Sequence, residues 1–235
     1  GVNDLDDYRR FQDLLAAKGA SKIAIIGAGL IGCEFTNDLV NGGFTVEAVD
    51  PMGWCLPTLL PERSGRAVQA ALEAKGATFH FGPLATEVNR VGEGYVVTLD
   101  NGDTIEADAV LCAVGVRPRT TLASDAGIEV NRGIVTDRAL RTNVPNVYAM
   151  GDCAEVAGHV LVYVAPLMAC ARALAATLAG ESTEVSYPPM PVAIKTPACP
   201  VVVSPPAKDA AGDWHFEGEA PDIRALFRSD AGDLL

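Results

Sequence analysis

Lys22-Ile23-Ala24-Ile25-Ile26-Gly27-Ala28-Gly29-Leu30-Ile31-Gly32 decides the fold. The run up to Ile26 reads as a fully buried strand. A glycine turn follows, and "LIGCEFTNDLVNGG" then reads as a helix closed by Gly42 and Gly43. "FTVEAVD" is the next strand, which completes a βαβ unit and predicts a parallel sheet. In a GxGxxG turn the first glycine permits the tight bend and the second lets a pyrophosphate approach the backbone. The third lets helix and strand pack closely, and the helix N-terminus stabilises the anion. Gly27, Ala28, Gly29, Leu30, Ile31 and Gly32 are therefore candidate dinucleotide ligands. Asp50 ends the second strand 18 residues after Gly32. It is expected to accept hydrogen bonds from an adenosine ribose, which favours NAD over NADP because no arginine adjoins it.

Outward from this unit, Leu5, Tyr8, Phe11, Leu14 and Leu15 recur at helical spacing and predict a helix ending near Gly19. "GRAVQAALEAKG" predicts another helix, ended by Gly76. From Ala77 to Asp108, short alternating segments joined by a "DNGD" turn predict a small antiparallel meander inserted into the sheet. "AVLCAVG" and "NVYAMG" read as further buried parallel strands, with a helix from about Pro166 to Leu178. After Gly180 the chain becomes Pro-rich and strand-like, the start of a C-terminal module.

The chain has 235 residues, and 18 Lys+Arg against 30 Asp+Glu give a net charge of −12, which argues against a nucleic-acid binder. With 49% hydrophobic and 20% charged residues it has ample core-forming material. No apolar run reaches the ~18–20 residues of a membrane span. Cys33, Cys55, Cys112, Cys153, Cys170 and Cys199 show no CxxC spacing, so no metal site is expected and a reducing cytoplasm is. The opening "GVNDLDDYRRFQDLLAAKG" has neither the basic region nor the apolar region of a signal peptide, and none is expected. The absent initiator Met and an ending in "RSDAGDLL" suggest an internal piece of a longer protein.

Two residues carry open readings. Glu34 is either a first-turn carboxylate favoured by the helix dipole or a group reaching the cofactor's far end. Asp152, after "NVYAMG", is either a helix N-cap or a ligand at the carboxyl end of a strand. The ordered set GxGxxG…Asp50, "AVGVRP" and "T…NVYAMGD" resembles the FAD-dependent pyridine nucleotide-disulfide oxidoreductases, flavoproteins with two dinucleotide folds. "GAGLIGCEF", "VNRGIV", "GDCAEV", "YVAPLMACARALAATLAG" and "MPVAIKTPACPVVVSPP" extend the resemblance to the rubredoxin-reducing members found in alkane-degrading bacteria.

The resemblance implies an α/β fold of two Rossmann-like nucleotide-binding domains. The expected boundaries are a connecting helix over 1–19, an NAD-binding domain over 20–115, the returning half of an FAD domain over 116–182 and a partial C-terminal module over 183–235. It implies NAD and FAD as cofactors, rubredoxin as partner, and a cofactor-borne hydride and electron transfer with no catalytic side chain. Gly115 would close the NAD domain, and Gly151 and Asp152 would meet the FAD ribityl chain. Val164 would face the flavin through its backbone, Glu34 would lie beside flavin and nicotinamide, and Lys195 would lie near the isoalloxazine, unless it is an ordinary solvated lysine. The family's first GxGxxG, which holds the FAD pyrophosphate, is absent here. A ferredoxin-type reductase of an oxygenase system, a disulfide reductase and a redox-inactive NAD-binding module remain alternatives; the second would need a cysteine pair that this sequence does not show. Arg117, Arg119, Arg132, Arg138 and Arg141 are the candidate basic patch for an acidic electron acceptor, against the alternative that most of them are an ordinary solvated face.

Overall fold

The computed structural model describes residues 1–17, 21–207 and 209–235. The chain divides into two units, one of Gly1–Gly115 with Pro191–Leu235 and one of Val116–Met190. The first runs through α1 (Leu5–Ala17), β1 (Lys22–Ile26), α2 (Leu30–Asn41), β2 (Thr45–Asp50), α3 (Glu62–Glu73) and β3 (Ala77–Phe81). It continues through β4 (Ala85–Val91), β5 (Gly94–Leu99), β6 (Thr104–Ala107) and β7 (Ala109–Cys112). A four-stranded sheet in the order β3-β2-β1-β7 pairs parallel throughout. Ile23, Ala24 and Ile25 in β1 are fully buried, as expected of a central strand covered on both faces. Each buried isoleucine contributes roughly 1.5–3 kcal/mol.

The helices follow their sequence signals. Asp4 caps α1 by accepting the Asp7 N–H at 2.8 Å, while the Asp7 side chain reaches back to the Asn3 N–H at 3.0 Å. Phe11, Leu14 and Leu15 face the sheet, where Phe11 meets Phe35 edge to face at 6.0 Å, whereas Leu5 and Tyr8 stay exposed. The expected end of this helix near Gly19 lies outside the described residues.

Two expectations about strands are corrected. Ala77–Phe81 does not belong to the antiparallel meander. It returns after the α3 crossover and pairs parallel with β2, from Val46 opposite Ala77 to Asp50 opposite Phe81. Only β4, β5 and β6 form the meander, whose Val97, Leu99, Ile105 and Ala107 pack under Ala24 and Val49. "NVYAMG" is not a strand either. It makes a single antiparallel bridge, Tyr148 to Arg141, because an extended run becomes a strand only where a neighbour takes its backbone groups.

The second unit holds α4 (Thr121–Asp125), β8 (Ile134–Thr136), β9 (Ala154–Val156) and α5 (Val164–Leu178). The last begins two residues earlier than expected, with Pro166 in its first turn, where a missing N–H costs nothing. β8 and β9 pair in parallel. Buried Glu155 in β9 accepts N–H groups from Arg132 at 2.9 Å, Gly133 at 3.1 Å and the Asn131 amide at 3.1 Å. Burial alone would raise its pKa, but these bonds and the Arg132 charge outweigh that and hold it below the usual carboxylate value.

Residues 191–235 rejoin the first unit as two hairpins, β10 (Val192–Ile194) with β11 (Val201–Val203) and β12 (Asp213–Glu217) with β13 (Arg224–Arg228). Ile194, Cys199 and Val203 share one apolar core with Cys33, Leu56, Val68 and Leu72. Among the described residues no helix is long and apolar enough to cross a membrane.

Candidate functional site: the glycine turn and the helix it opens

Each glycine of the turn meets a different constraint. Gly27 has φ of +105°, and a Cβ there would lie 2.6 Å from the Ala113 carbonyl oxygen. A Cβ on Gly32 would lie 1.9 Å from the Gly27 carbonyl oxygen, so only glycine lets α2 approach the strand this closely. Gly29 caps α2 with an extended backbone, and a Cβ there would meet nothing within 4 Å. Open space therefore lies beside the uncapped first turn of α2, where a bound anion would meet free N–H groups. Leu30 packs inward, while Ile31 is 44% exposed. These features fit a dinucleotide pyrophosphate.

Asp50 has a part the sequence did not reveal. It is buried, and its two carboxylate oxygens accept the Ala28 N–H at 2.7 Å and the Met52 N–H at 2.8 Å. The Gly27 N–H donates to the Val49 carbonyl at 2.8 Å, and the Leu56 N–H to the Ala28 carbonyl at 2.8 Å. The carboxylate thus braces the glycine turn from the end of β2. Each oxygen keeps a further lone pair, so a ribose hydroxyl can still be accepted.

One turn along α2, Glu34 is half-buried and accepts the backbone N–H of Lys195 at 2.8 Å. The Lys195 side chain is exposed. Asn37, a residue sequence reasoning passed over, is fully buried and accepts the Ala198 N–H at 3.1 Å. Its only local signal is an amide side chain on the inward face of an amphipathic helix.

The remaining expected site residues are placed as follows. Gly115 has φ of +103° and open space around it. In the second unit, Gly151 has φ of +79° and starts a single 3-10 turn, Gly151–Cys153, that carries the exposed Asp152. Val164 is the first residue of α5 and 74% exposed, and no side chain caps that helix. An exposed carboxylate and an uncapped helix start fit the ribityl hydroxyls and the ring of a flavin. Of the candidate docking arginines, Arg132 bonds the Gly158 carbonyl and faces Glu155, Arg138 bonds the Val185 carbonyl, and Arg141 bonds Ser182. Arg117 and Arg119 are exposed and make no hydrogen bond or ion pair among the described residues.

The cysteines are less scattered than their spacing implies. Cys33 and Cys55 lie in one buried core, where the Cys33 thiol donates to the Ala28 carbonyl at 3.2 Å, and the neighbouring Cys33 together with burial drives the Cys55 thiol far above its ordinary pKa. Cys199 lies in the same core, and burial raises its pKa as well. These are inert thiols.

Residues 1–176 match the family described as pyridine nucleotide-disulphide oxidoreductase. The chain belongs to this family. Residues 184–235 match a second description, rubredoxin binding C-terminal domain. Among family members, a rubredoxin-NAD(+) reductase of Alcanivorax borkumensis is 58% identical over 235 residues, covering 100% of this chain and 61% of the relative. A rubredoxin-NAD(+) reductase of Acinetobacter baylyi is 47% identical over 218 residues, covering 92% of this chain and 56% of the relative. The chain thus spans about 60% of the length of these relatives. A ferredoxin reductase structure from Rhodopseudomonas palustris superposes with a TM-score of 0.86 at 24% identity, covering 97% of this chain and 58% of that one, a likeness of fold.

Proposed function

We propose that this chain takes part in the reduction of rubredoxin by NADH through FAD, in a cytoplasmic electron-transfer chain that serves alkane hydroxylation. The observation that carries this reading is the open, uncapped glycine turn at the start of α2 on a chain whose residues 184–235 match a rubredoxin-binding domain. The similarity to two rubredoxin-NAD(+) reductases supports it, and free cysteines throughout support a reducing compartment.

FAD, when bound, supplies the conversion between a two-electron hydride donor and a one-electron iron acceptor. The chain's own residues bind and orient. The backbone of Gly27 to Gly32 would hold the NADH pyrophosphate, and Asp50, already bracing that turn, would accept an adenosine ribose hydroxyl. Glu34 would stand toward the nicotinamide end. Lys195 would offer a cation where negative charge develops on the isoalloxazine. Gly151 and Asp152 would take the ribityl hydroxyls, with Gly115 at the end of the NAD-binding part and Val164 presenting backbone to the ring. With Arg132, Arg138 and Arg141 engaged internally, Arg117 and Arg119 are the arginines left to meet an acidic rubredoxin.

The test is a visible spectrum of the purified chain with added FAD, then NADH, then rubredoxin or a [2Fe–2S] ferredoxin. A retained flavin band that bleaches with NADH and returns faster with rubredoxin is the expected result. Faster return with the ferredoxin would favour an oxygenase-type reductase. A colourless chain that still binds NADH would reduce the reading to a nucleotide-binding module.

A further inference from the structure

The turn Lys195–Pro200 is a sealed unit whose backbone donors can be counted to completion. Pro197 and Pro200 have no N–H. The Thr196 N–H donates to the Ile194 carbonyl at 3.0 Å and the Cys199 N–H to the Thr196 carbonyl at 2.8 Å. The Thr196 hydroxyl, buried, closes on the Cys199 carbonyl at 2.7 Å. Two donors remain, the N–H groups of Lys195 and Ala198. Both are taken by α2, at Glu34 and Asn37, three residues apart and so on one helix face. Asn37 is the more telling of the two because it is fully buried and its amide carries no charge to be solvated elsewhere.

This pair stands about 6 and 10 Å along α2 from its first residue, at 1.5 Å per residue. The glycine turn lies at one end, and the clamp holds Lys195 beside Glu34 further on. We propose that Asn37 is a positioning residue: by locking the 195–199 turn to α2, it sets where Glu34 and Lys195 meet the nicotinamide end of the dinucleotide. This inference rests on the NAD reading above. It predicts that losing the amide disturbs the nicotinamide half of the ligand and leaves the adenosine diphosphate half alone.

The experiment compares NADH with ADP-ribose binding, by calorimetry, in the wild-type chain, Asn37→Leu and Asn37→Asp. Asn37→Leu matches the volume and leaves the Ala198 N–H without an acceptor. It should weaken NADH about tenfold while ADP-ribose binding stays within about twofold; Asn37→Asp keeps the acceptor oxygen but loses the amide N–H that donates to Asp38 at 3.3 Å, so it should recover only part of the loss. Amide exchange at Lys195 and Ala198 should quicken about tenfold in Asn37→Leu with the α2 amides unchanged. Equal weakening of both ligands, or no change in either ligand or exchange, would overturn the proposal. A wild-type chain that binds no ADP-ribose would instead sink the NAD reading, and the exchange measurement would still judge the clamp. Should Asn37→Leu fail to fold, native-state exchange of the wild type decides. The Lys195 and Ala198 amides must open together with α2, and a separate low-energy opening would refute the clamp.

Discussion

Gly29→Ala and Gly32→Ala add the same methyl group to one turn, yet the structure assigns them opposite consequences. At Gly32 the new Cβ would sit 1.9 Å from the Gly27 carbonyl oxygen, backbone against backbone, with no flexible side chain to yield. The helix would have to lift from the strand by more than an ångström, breaking contacts around the fully buried Cys33 and Thr36. Overpacking of this kind costs about 3 kcal/mol or more. At Gly29 nothing lies within 4 Å and φ is −74°, a value alanine adopts freely. The loss of a preferred cap residue and the gain from a less flexible unfolded chain nearly cancel, leaving stability within about 0.5 kcal/mol. The same methyl group, however, projects into the space a pyrophosphate would fill. ADP-ribose affinity should fall at least tenfold, about 1.4 kcal/mol. Urea denaturation followed by far-ultraviolet circular dichroism reads the first quantity and calorimetric titration the second. The reasoning fails if Gly29→Ala lowers stability by about 2 kcal/mol, if it binds ADP-ribose as wild type does, or if Gly32→Ala unfolds at the wild-type midpoint.

Two further predictions follow from carboxylates. Asp50→Asn keeps one acceptor but turns an N–H toward a backbone N–H, so the glycine turn should lose about 1–3 kcal/mol of stability even without ligand, read from the urea midpoint. An unchanged midpoint with weakened NADH would return Asp50 to the role of a simple ribose ligand. Glu47 bonds Lys22 at 2.7 Å and His80 at 2.8 Å, and against the upward push of burial these partners hold its pKa below the ordinary 4.5; Glu155 is held below the same value by its own donors. A carboxylate depressed in the folded state adds stability above its unfolded pKa and loses it as pH falls through the folded value. The urea midpoint should therefore drop below about pH 4.5, and Glu155→Gln should make that acid limb shallower. An acid limb of unchanged slope in Glu155→Gln would refute the part given to Glu155.

The glycine turn was legible from its residues because its demands are local. A positive φ at Gly27 and a close approach at Gly32 can be met by no other residue, and Lys22–Ile26 before it and Leu30–Asn41 after it have the periods of strand and helix. The βαβ order followed, and so did the resemblance that led to the family. Other features required the folded chain. Ala77–Phe81 has the alternation of a meander strand, but its direction was set by the helix before it and by the edge of β2 that was open to it. Glu34 and Asn37 each meet a backbone donor 161 residues away, and Cys33 and Cys55 come to share one buried core, arrangements that no spacing encodes. Asp50 turned inward because two backbone N–H groups beside it had no other acceptor. Sequence by itself determined which backbone conformations each segment could adopt. Tertiary structure decided which buried donors met which acceptors, because those partners are chosen by close packing between segments far apart in the chain.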